Sequence, residues 1–410
     1  MSPAGPTTEP TLRSLGLTVY GPSFLFAVGQ GAVIPIVALA AKDLGATVAM
    51  ASLTVALRGI GTMLFDLPAG ALVARLGERR AMAVGTGILI VALVGCVAST
   101  SIIPFAAFML LMGCGWAMWL LARLTYVSDV MPVHLRGRAL STLGGVNRVG
   151  NFVGPFLGAG AIAMTGLDGA YYVHIALAVA GCALLFLVPD PHADSRGPAH
   201  GSVPFVAVAR THKSVFLTAG VAAMCIGVLR ATRQAILPLW ADRVGLDAAS
   251  VAIIFGMAAG MDMTLFYPAG SLSDRMGRKW VAIPCLAILA AGFLLLPLTG
   301  SFWTIAAVAT LLGFGNGMGS GIVMTLGADF SPLRGRAEFL GVWRLVGDLG
   351  TAGGPLLAAG VAGVASLGAA SVLTGAIGMG GALLVAFRVP EPLHRARTDT
   401  MEDGAQGAAT

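Results

Sequence analysis

Twelve long apolar stretches follow one another along this chain, and they constrain its fold more than any other feature. A helix needs about 20 apolar residues to cross about 30 Å of hydrocarbon. The stretches cover residues 16–40, 48–72, 80–99, 102–128, 139–164, 170–188, 215–240, 249–273, 280–299, 302–328, 337–364 and 367–387. We therefore predict an all-α membrane protein with twelve transmembrane helices.

The composition excludes a soluble globular protein. Hydrophobic residues make up 57% of the 410 residues and charged residues 11%, whereas soluble domains carry about 25% charged residues. All five cysteines lie in apolar stretches and none forms a CxxC pair, so we expect buried thiols that fill space. We expect no metal site and no cofactor.

The distribution of Lys and Arg predicts the orientation. With the N-terminus inside, the cytoplasmic segments hold 17 basic residues and the outer loops hold two, Lys42 and Arg243. Cytoplasmic loops carry the excess of basic residues, so we predict a multi-pass protein of the inner (plasma) membrane with both termini in the cytoplasm. The net charge of +6 then faces anionic lipid, which removes the reason to infer nucleic-acid binding.

The chain is an internal duplication. Residues 200 positions apart match in several places: Pro68 and Pro268, Arg75 and Arg275, Asp129 and Asp329, Gly154 and Gly354. We predict an N-terminal six-helix half at 1–188, a polar cytoplasmic linker at 189–213, a C-terminal six-helix half at 214–390 and a cytoplasmic tail at 391–410. The fold class is then two pseudo-symmetric six-helix bundles.

Six spans in each half bring both halves into the membrane from the same side, so the repeats are parallel. Parallel repeats related by an axis along the membrane normal are a recurring plan of secondary transporters, which bind substrate near the midplane. The duplication and the topology alone therefore predict a transporter that works by alternating access.

The cytoplasmic loops of both halves resemble a known signature. Gly270–Lys279 reads GSLSDRMGRK, and the sequence at 70–80 reads GALVARLGERR. They are similar to the G-x-x-x-D-R-x-G-R-[RK] signature of the major facilitator superfamily, which the second copy matches in full. The first copy has Ala74 where the family has Asp, so it lacks the acid that in the family braces this loop against the other half.

The resemblance implies a conformational latch on the cytoplasmic side. In the family, an acid at the end of the fourth or tenth span pairs with basic residues of the loop; the alternative is ordinary charges at helix ends. The residues expected to form the latch are Asp129, Arg75, Arg79, Asp274, Arg275, Arg278 and Asp329.

The fifth predicted span contains Gly150-Asn-Phe-Val-Gly-Pro-Phe-Leu-Gly158. This is similar to part of the antiporter signature of drug:proton exporters in the same superfamily, but Ser141 stands where the upstream Gly falls. The eleventh span repeats the element with Gly354-Pro355. Close helix packing at Gly explains the pattern equally well.

Nine ionisable residues lie within the predicted spans. Such residues are costly in lipid and are functional candidates by default. The six cations are Arg58, Arg123, Arg148, Arg230, Arg233 and Arg344, and the three acids are Asp66, Asp262 and Asp348. Because cations outnumber acids, the pattern favours a cavity for anions or for ligands rich in acceptors. Arg123 is the cation most expected to reach the interface.

We assign roles to these residues by depth and spacing. Arg344 and Asp348 are four residues apart, which places them on one helix face as a structural ion pair. Asp262 and Asp66 are the candidates for proton coupling. The candidates for substrate binding are Arg58, Arg148, Arg230, Arg233, Gln30, Asn151 and Asn316. Each Arg could instead be satisfied by helix carbonyls, and the polar residues could join helices.

The resemblance predicts a monomeric secondary transporter of a small organic molecule, with protons as the coupling ion and efflux as the direction. Two alternatives remain open: uptake or exchange of a small organic anion, and a membrane receptor or sensor that uses the transporter fold without flux. An enzyme is not expected, because the chain has no HExxH, GxSxG or P-loop motif.

Overall fold

The structure, a computed structural model, describes residues 15–187, 205–332 and 335–391. Regular structure in these ranges is entirely helical. Residues 189–204 of the predicted linker lie outside the described residues, as does the predicted tail beyond Glu391.

Twelve long helical segments, α1 to α12, follow one another along the described chain. In the first half they are Gly16–Asp43, Val48–Leu76, Glu78–Ala98, Ile102–Val130, Val133–Thr165 and Asp168–Leu187. In the second half they are Lys213–Arg243, Ala248–Met276, Lys279–Leu298, Phe302–Phe330, Arg336–Val364 and Leu367–Arg388. The linker contributes a short helix, Phe205–Thr211.

The predicted fold class is confirmed. Eleven of the described helices are long and apolar enough to cross a membrane. The remaining helix is α5, which has 33 residues. Its polar and charged residues, Asn147 and Arg148 among them, lower its hydropathy.

Helix ends are set by the same local chemistry in both halves. After α1 and α7, Gly45 and Gly245 have φ angles of 84° and 91°, a left-handed conformation that glycine adopts without strain. Each donates its N–H to a carbonyl of the last helical turn, as in glycine-terminated helices generally. At the start of α8, the Asp247 carboxylate accepts from the Ser250 N–H and caps the helix.

The chain forms two compact units. Of the described residues, unit 1 holds 15–34 and 60–187, and unit 2 holds 35–59, 205–332 and 335–391. In unit 1, α1 packs against α5 and α6, while α3 packs against α4 and α6. In unit 2, α7 packs against α11 and α12, α9 against α10 and α12, and α8 against α10.

Glycines set the closest of these contacts. A Cβ on Gly154 of α5 would overlap the Val28 carbonyl of α1. A Cβ on Gly354 of α11 would lie 2.6 Å from the Val228 carbonyl of α7. The Gly-Pro element that resembles an exporter signature is therefore a close-packing device in both copies.

Candidate functional site

Two arginines and an aspartate come together within unit 2. Arg230 and Arg233 lie three residues apart on α7, so they share one face of the helix. Asp262 of α8 attracts Arg233 electrostatically, and Arg230 repels it. Within the described residues, Nε and Nη1 of Arg233 are buried without a hydrogen-bond partner. Nε and Nη1 lie on different edges of the guanidinium, so each can donate one hydrogen bond to an oxygen of an anion.

Arg230 has a different environment from Arg233. Its Nη2 donates to the carbonyl of Gly319 at 2.9 Å and to the carbonyl of Asn316 at 3.4 Å. Both acceptors lie where α10 is interrupted, between Phe302–Met318 and Ile322–Phe330. Sequence analysis selected Asn316 for its side chain, whereas its backbone carbonyl is the group that contacts Arg230.

Cys285 of α9 lies beside this cluster and is fully buried. A Cβ on Gly319 would overlap its Sγ and would lie 3.0 Å from Nη2 of Arg230. Sequence reasoning grouped Cys285 with four other apolar-segment cysteines, because no local pattern separates it from them. Its position beside Arg230 depends on tertiary packing.

Unit 1 contains a buried cation of its own. Arg123 of α4 is 3% exposed, its Nη1 donates to Oδ1 of Asn147 at 3.0 Å, and its guanidinium lies 4.2 Å from the centre of the Trp119 ring. Phe26 of α1 stacks on the Trp119 ring, with the two ring centres 4.0 Å apart. The expectation that Arg123 reaches the interface is wrong: the side chain is buried, where Asn147 accepts from Nη1 and the Trp119 ring lies against the guanidinium. Its Nε has no hydrogen-bond partner among the described residues.

The other candidate residues are distributed over both units. Gln30 of α1 is buried, and Arg148 and Asn151 are half-buried on one face of α5. Unit 1 holds Gln30, Arg148, Asn151 and Asp66, and unit 2 holds Arg58, Arg230, Arg233, Asp262 and Asn316. Arg58 and Asp66 are both half-buried and lie eight residues apart on α2.

The second copy of the loop signature forms an ion-pair network. Arg278 donates from Nε to Asp329 and from Nη1 to Asp274, both at 2.8 Å. Partial burial acts to lower the pKa of Arg278, but the bonds to Asp329 and Asp274 outweigh burial and raise that pKa above its ordinary value. Arg278 is therefore charged at every physiological pH, while Arg275 is exposed.

The first copy of the signature is arranged differently. Arg79 donates from Nε to the carbonyl of Leu185 on α6 at 2.5 Å, while Arg75 and Asp129 are exposed. Lys279, the equivalent of Arg79, donates in the same way to the carbonyl of Ala386 on α12 at 3.1 Å. The contact between each loop and the last helix of its half is thus repeated.

Glu391, at the end of the described chain, binds the backbone of the loop that contains the second copy of the signature. Its carboxylate accepts from the backbone N–H groups of Arg278 and Lys279, at 2.9 and 3.0 Å. These groups open α9, where the helix dipole favours a negative charge. Sequence reasoning assigned Glu391 to the tail, because a cap supplied from more than 110 residues away leaves no local pattern.

Two further ion pairs involve spanning helices. Nε of Arg344 lies 3.6 Å from Oδ2 of Asp348 on α11. Lys42 at the end of α1 contacts Asp242 at the end of α7, a pair that sequence analysis missed because it treated Lys42 only as a loop charge. No three His, Cys, Asp or Glu side chains in the described ranges converge to hold a metal ion.

A family profile described as Major Facilitator Superfamily matches this chain at residues 22–267 and 221–408. The uncharacterized MFS-type transporter YfkF of Bacillus subtilis (strain 168) is 25% identical over 73% of this chain and 75% of its own length. The uncharacterized MFS-type transporter Rv1250 of Mycobacterium tuberculosis is 30% identical over 31% of this chain. That match spans 22% of the length of the mycobacterial relative.

Solved structures resemble the fold at low sequence identity. The crystal structure of a D-xylose-proton symporter superposes with a TM-score of 0.70 at 16% identity, over 93% of this chain and 99% of that chain. A POT family transporter in complex with 5-aminolevulinic acid superposes with a TM-score of 0.77 at 11% identity, over 91% of this chain and 95% of that chain. At these identities the likeness concerns the fold alone.

Proposed function

This chain belongs to the Major Facilitator Superfamily, and from that premise we propose that it is a proton-coupled secondary transporter of a small organic anion. The observation that carries the proposal is Arg233, a buried guanidinium whose Nε and Nη1 have no hydrogen-bond partner among the described residues. A carboxylate or a phosphate, with its several charged oxygens, suits a buried cation that has two such donors.

Asp262 gives the proposal its coupling mechanism. The Asp262 carboxylate attracts Arg233, so it competes with an anionic substrate for the same guanidinium. Protonation of Asp262 removes the competing charge and strengthens anion binding, and by reciprocity the bound anion strengthens proton binding. Proton and anion therefore travel together, which is symport, and the proton gradient drives uptake.

The remaining candidate residues take supporting roles in the proposal. Asp66 is the second candidate for proton transfer. Candidate substrate contacts besides Arg233 are Arg58, Arg148, Gln30, Asn151 and Asn316. The latch on the cytoplasmic side is proposed for Asp274, Arg278 and Asp329 in the second copy and for Arg75, Arg79, Asp129 and Arg275. We further propose a monomer in the plasma membrane with both termini cytoplasmic, on the bias of basic residues toward that side.

A second candidate is proton-coupled efflux, which the Gly150–Gly158 element favours through its resemblance to an antiporter signature. Gly354 weakens the support for this candidate, because it makes the same kind of backbone contact in the second copy as Gly154 makes in the first. A packing role in both halves explains the element without reference to direction.

Flux into proteoliposomes tests the proposal and separates the two candidates. Vesicles with an acidic exterior are offered lactate, succinate, benzoate and the cation ethidium. We expect accumulation of at least one anion with wild-type protein. We expect Asp262→Asn to abolish accumulation driven by the gradient but to retain exchange of labelled for unlabelled anion, because the neutral amide leaves Arg233 able to bind.

Arg233→Ala should raise the anion KM at least about tenfold, the ratio that corresponds to about 1.4 kcal/mol. Arg210→Ala is the matched control, because Arg210 is exposed in the short linker helix and its loss removes the same charge. Ethidium transport driven by an acidic interior, with no anion flux in either gradient, would replace the proposal with the efflux candidate.

A further inference from the structure

The tenth span is interrupted in the second half of the chain and continuous in the first. α10 consists of Phe302–Met318 and Ile322–Phe330, which we call α10a and α10b, separated by Gly319-Ser320-Gly321. Gly321 has a φ of 76°, where residues other than glycine are strained. Its counterpart α4 runs unbroken from Ile102 to Val130, so the interruption is specific to the second copy.

The two copies differ in their glycine content at the position of the break. Residues 313–321 read GFGNGMGSG, with glycine at every second position, whereas residues 113–121 read GCGWAMWLL. Trp119 therefore occupies the position equivalent to Gly319. A tryptophan there fills the interior beside α4, while glycine leaves room for another side chain to approach the backbone.

An interrupted helix in a membrane leaves carbonyls without their usual partner four residues on, and an unbonded carbonyl is costly in hydrocarbon. The Ile322 N–H donates to the Gly319 carbonyl at 3.3 Å, and this carbonyl has a second lone pair to offer. Arg230 enters the space beside Gly319 and donates to the carbonyls of Gly319 and Asn316, at 2.9 and 3.4 Å. The position equivalent to Arg230 in the first copy is Gln30. The two copies thus differ in a correlated way. The second copy has Arg230, Gly319 and an interrupted helix, whereas the first copy has Gln30, Trp119 and a continuous helix.

We infer that Arg230 is a positioning residue that holds the interruption in α10, and that Arg233 is the anion-binding member of the pair. The Arg233 part of the inference rests on the proposed function, while the Arg230 part rests on the backbone contacts alone. By donating to carbonyls on the α10a side of the break and at the break itself, Arg230 holds the backbone of α10 in its interrupted form.

Cys285 provides a readout of the break that needs no substrate. Its Sγ lies against Gly319 and the residue is fully buried, so a thiol reagent reaches it when the break loosens. In protein with Ala at Cys96, Cys114, Cys182 and Cys225, we expect Arg230→Ala to speed alkylation of Cys285 by N-ethylmaleimide about tenfold, equivalent to about 1.4 kcal/mol. Arg233→Ala should leave this rate unchanged.

Arg230→Gln separates a donor role from a charge role. Glutamine keeps an N–H donor but no charge, as Gln30 does in the first copy, so it should retain slow alkylation of Cys285 and more anion flux than Arg230→Ala. With lactate, succinate and benzoate as probes, Arg230→Ala should lower the maximal rate with little change in KM. Arg233→Ala should do the reverse.

Two results would overturn the inference. One is an Arg230→Ala protein that alkylates at the wild-type rate. The other is an Arg230→Gln protein whose anion KM rises as much as that of Arg233→Ala, which would make Arg230 an anion ligand. If Arg233→Ala leaves anion flux unchanged while Arg230→Ala still speeds alkylation, the proposed substrate class fails and the role of Arg230 stands.

Discussion

At the scale of single residues, the stabilisation that an ion pair provides depends on how exposed the pair is to water. Arg278 binds two aspartates at the same distance, 2.8 Å, yet the Asp329 side chain is 27% exposed and the Asp274 side chain 73%. Exposed ion pairs contribute little, because water and salt screen them. Equal geometry therefore does not mean equal stabilisation.

We expect Asp329→Ala to lower the free energy of unfolding by about 1 kcal/mol and Asp274→Ala by about 0.3 kcal/mol, the upper and lower parts of the range for such pairs. Thermal unfolding of the detergent-solubilised protein measures both. The difference should shrink in about 1 M salt, where the screening length falls to about 3 Å. Equal destabilisation by the two variants, unaffected by salt, would contradict this assignment.

The charged residues within apolar stretches could be identified from the sequence, but their burial and their partners could not. The position of Arg123 in its span suggested a cation near the cytoplasmic surface, and the structure buries it against Trp119 and Asn147. An aromatic ring one turn away on the same helix is visible in the sequence. The contact with Asn147 depends on how α4 and α5 pack, which no local pattern encodes.

At the scale of helices, glycine decides which pairs approach closely. Gly154 has no room for a Cβ against α1, whereas Gly160, on the same helix, has open space around it. The same contrast holds in α11 between Gly354 and Gly360. Within each helix, these two glycines therefore have opposite expected responses to substitution by alanine.

Gly154→Ala and Gly354→Ala should each destabilise the protein by about 1–3 kcal/mol, the usual range for overpacking. Gly160→Ala and Gly360→Ala should be neutral or stabilising by up to about 1 kcal/mol, because alanine is the better helix former. Thermal unfolding of the four variants gives the comparison. A loss at Gly160 as large as that at Gly154 would mean that helix packing is not the cause.

Most helix boundaries could be predicted to within a few residues, because hydropathy falls and glycines occur where the helices end. The break in α10 was missed. The stretch 302–328 is apolar and rich in glycine, and its hydropathy is the same whether the helix continues or stops. A comparison of the two copies contains the signal: Gly319 and Gly321 stand where the first copy has Trp119 and Leu121.

At the scale of the whole molecule, the duplication explains an ion pair that neither half could form alone. Lys42 and Asp242 are equivalent positions, 200 residues apart, and both lie in unit 2. Identical copies would bring two like charges together at such a contact. Divergence of the copies to opposite charges makes the contact attractive, and each side chain is about one-third exposed, at 37% and 34%.

Reversal of one charge should therefore destabilise the protein, and reversal of both should restore it. We expect Lys42→Asp and Asp242→Lys each to lower the free energy of unfolding by about 1 kcal/mol, since each replaces attraction with repulsion at a partly exposed site. The double variant should recover most of the loss in thermal unfolding and in anion flux. Asp43→Asn is the matched control, because the neighbouring Asp43 is exposed. A double variant as unstable as the sum of its single changes would show that the contact contributes no interaction energy, since coupled residues depart from additivity.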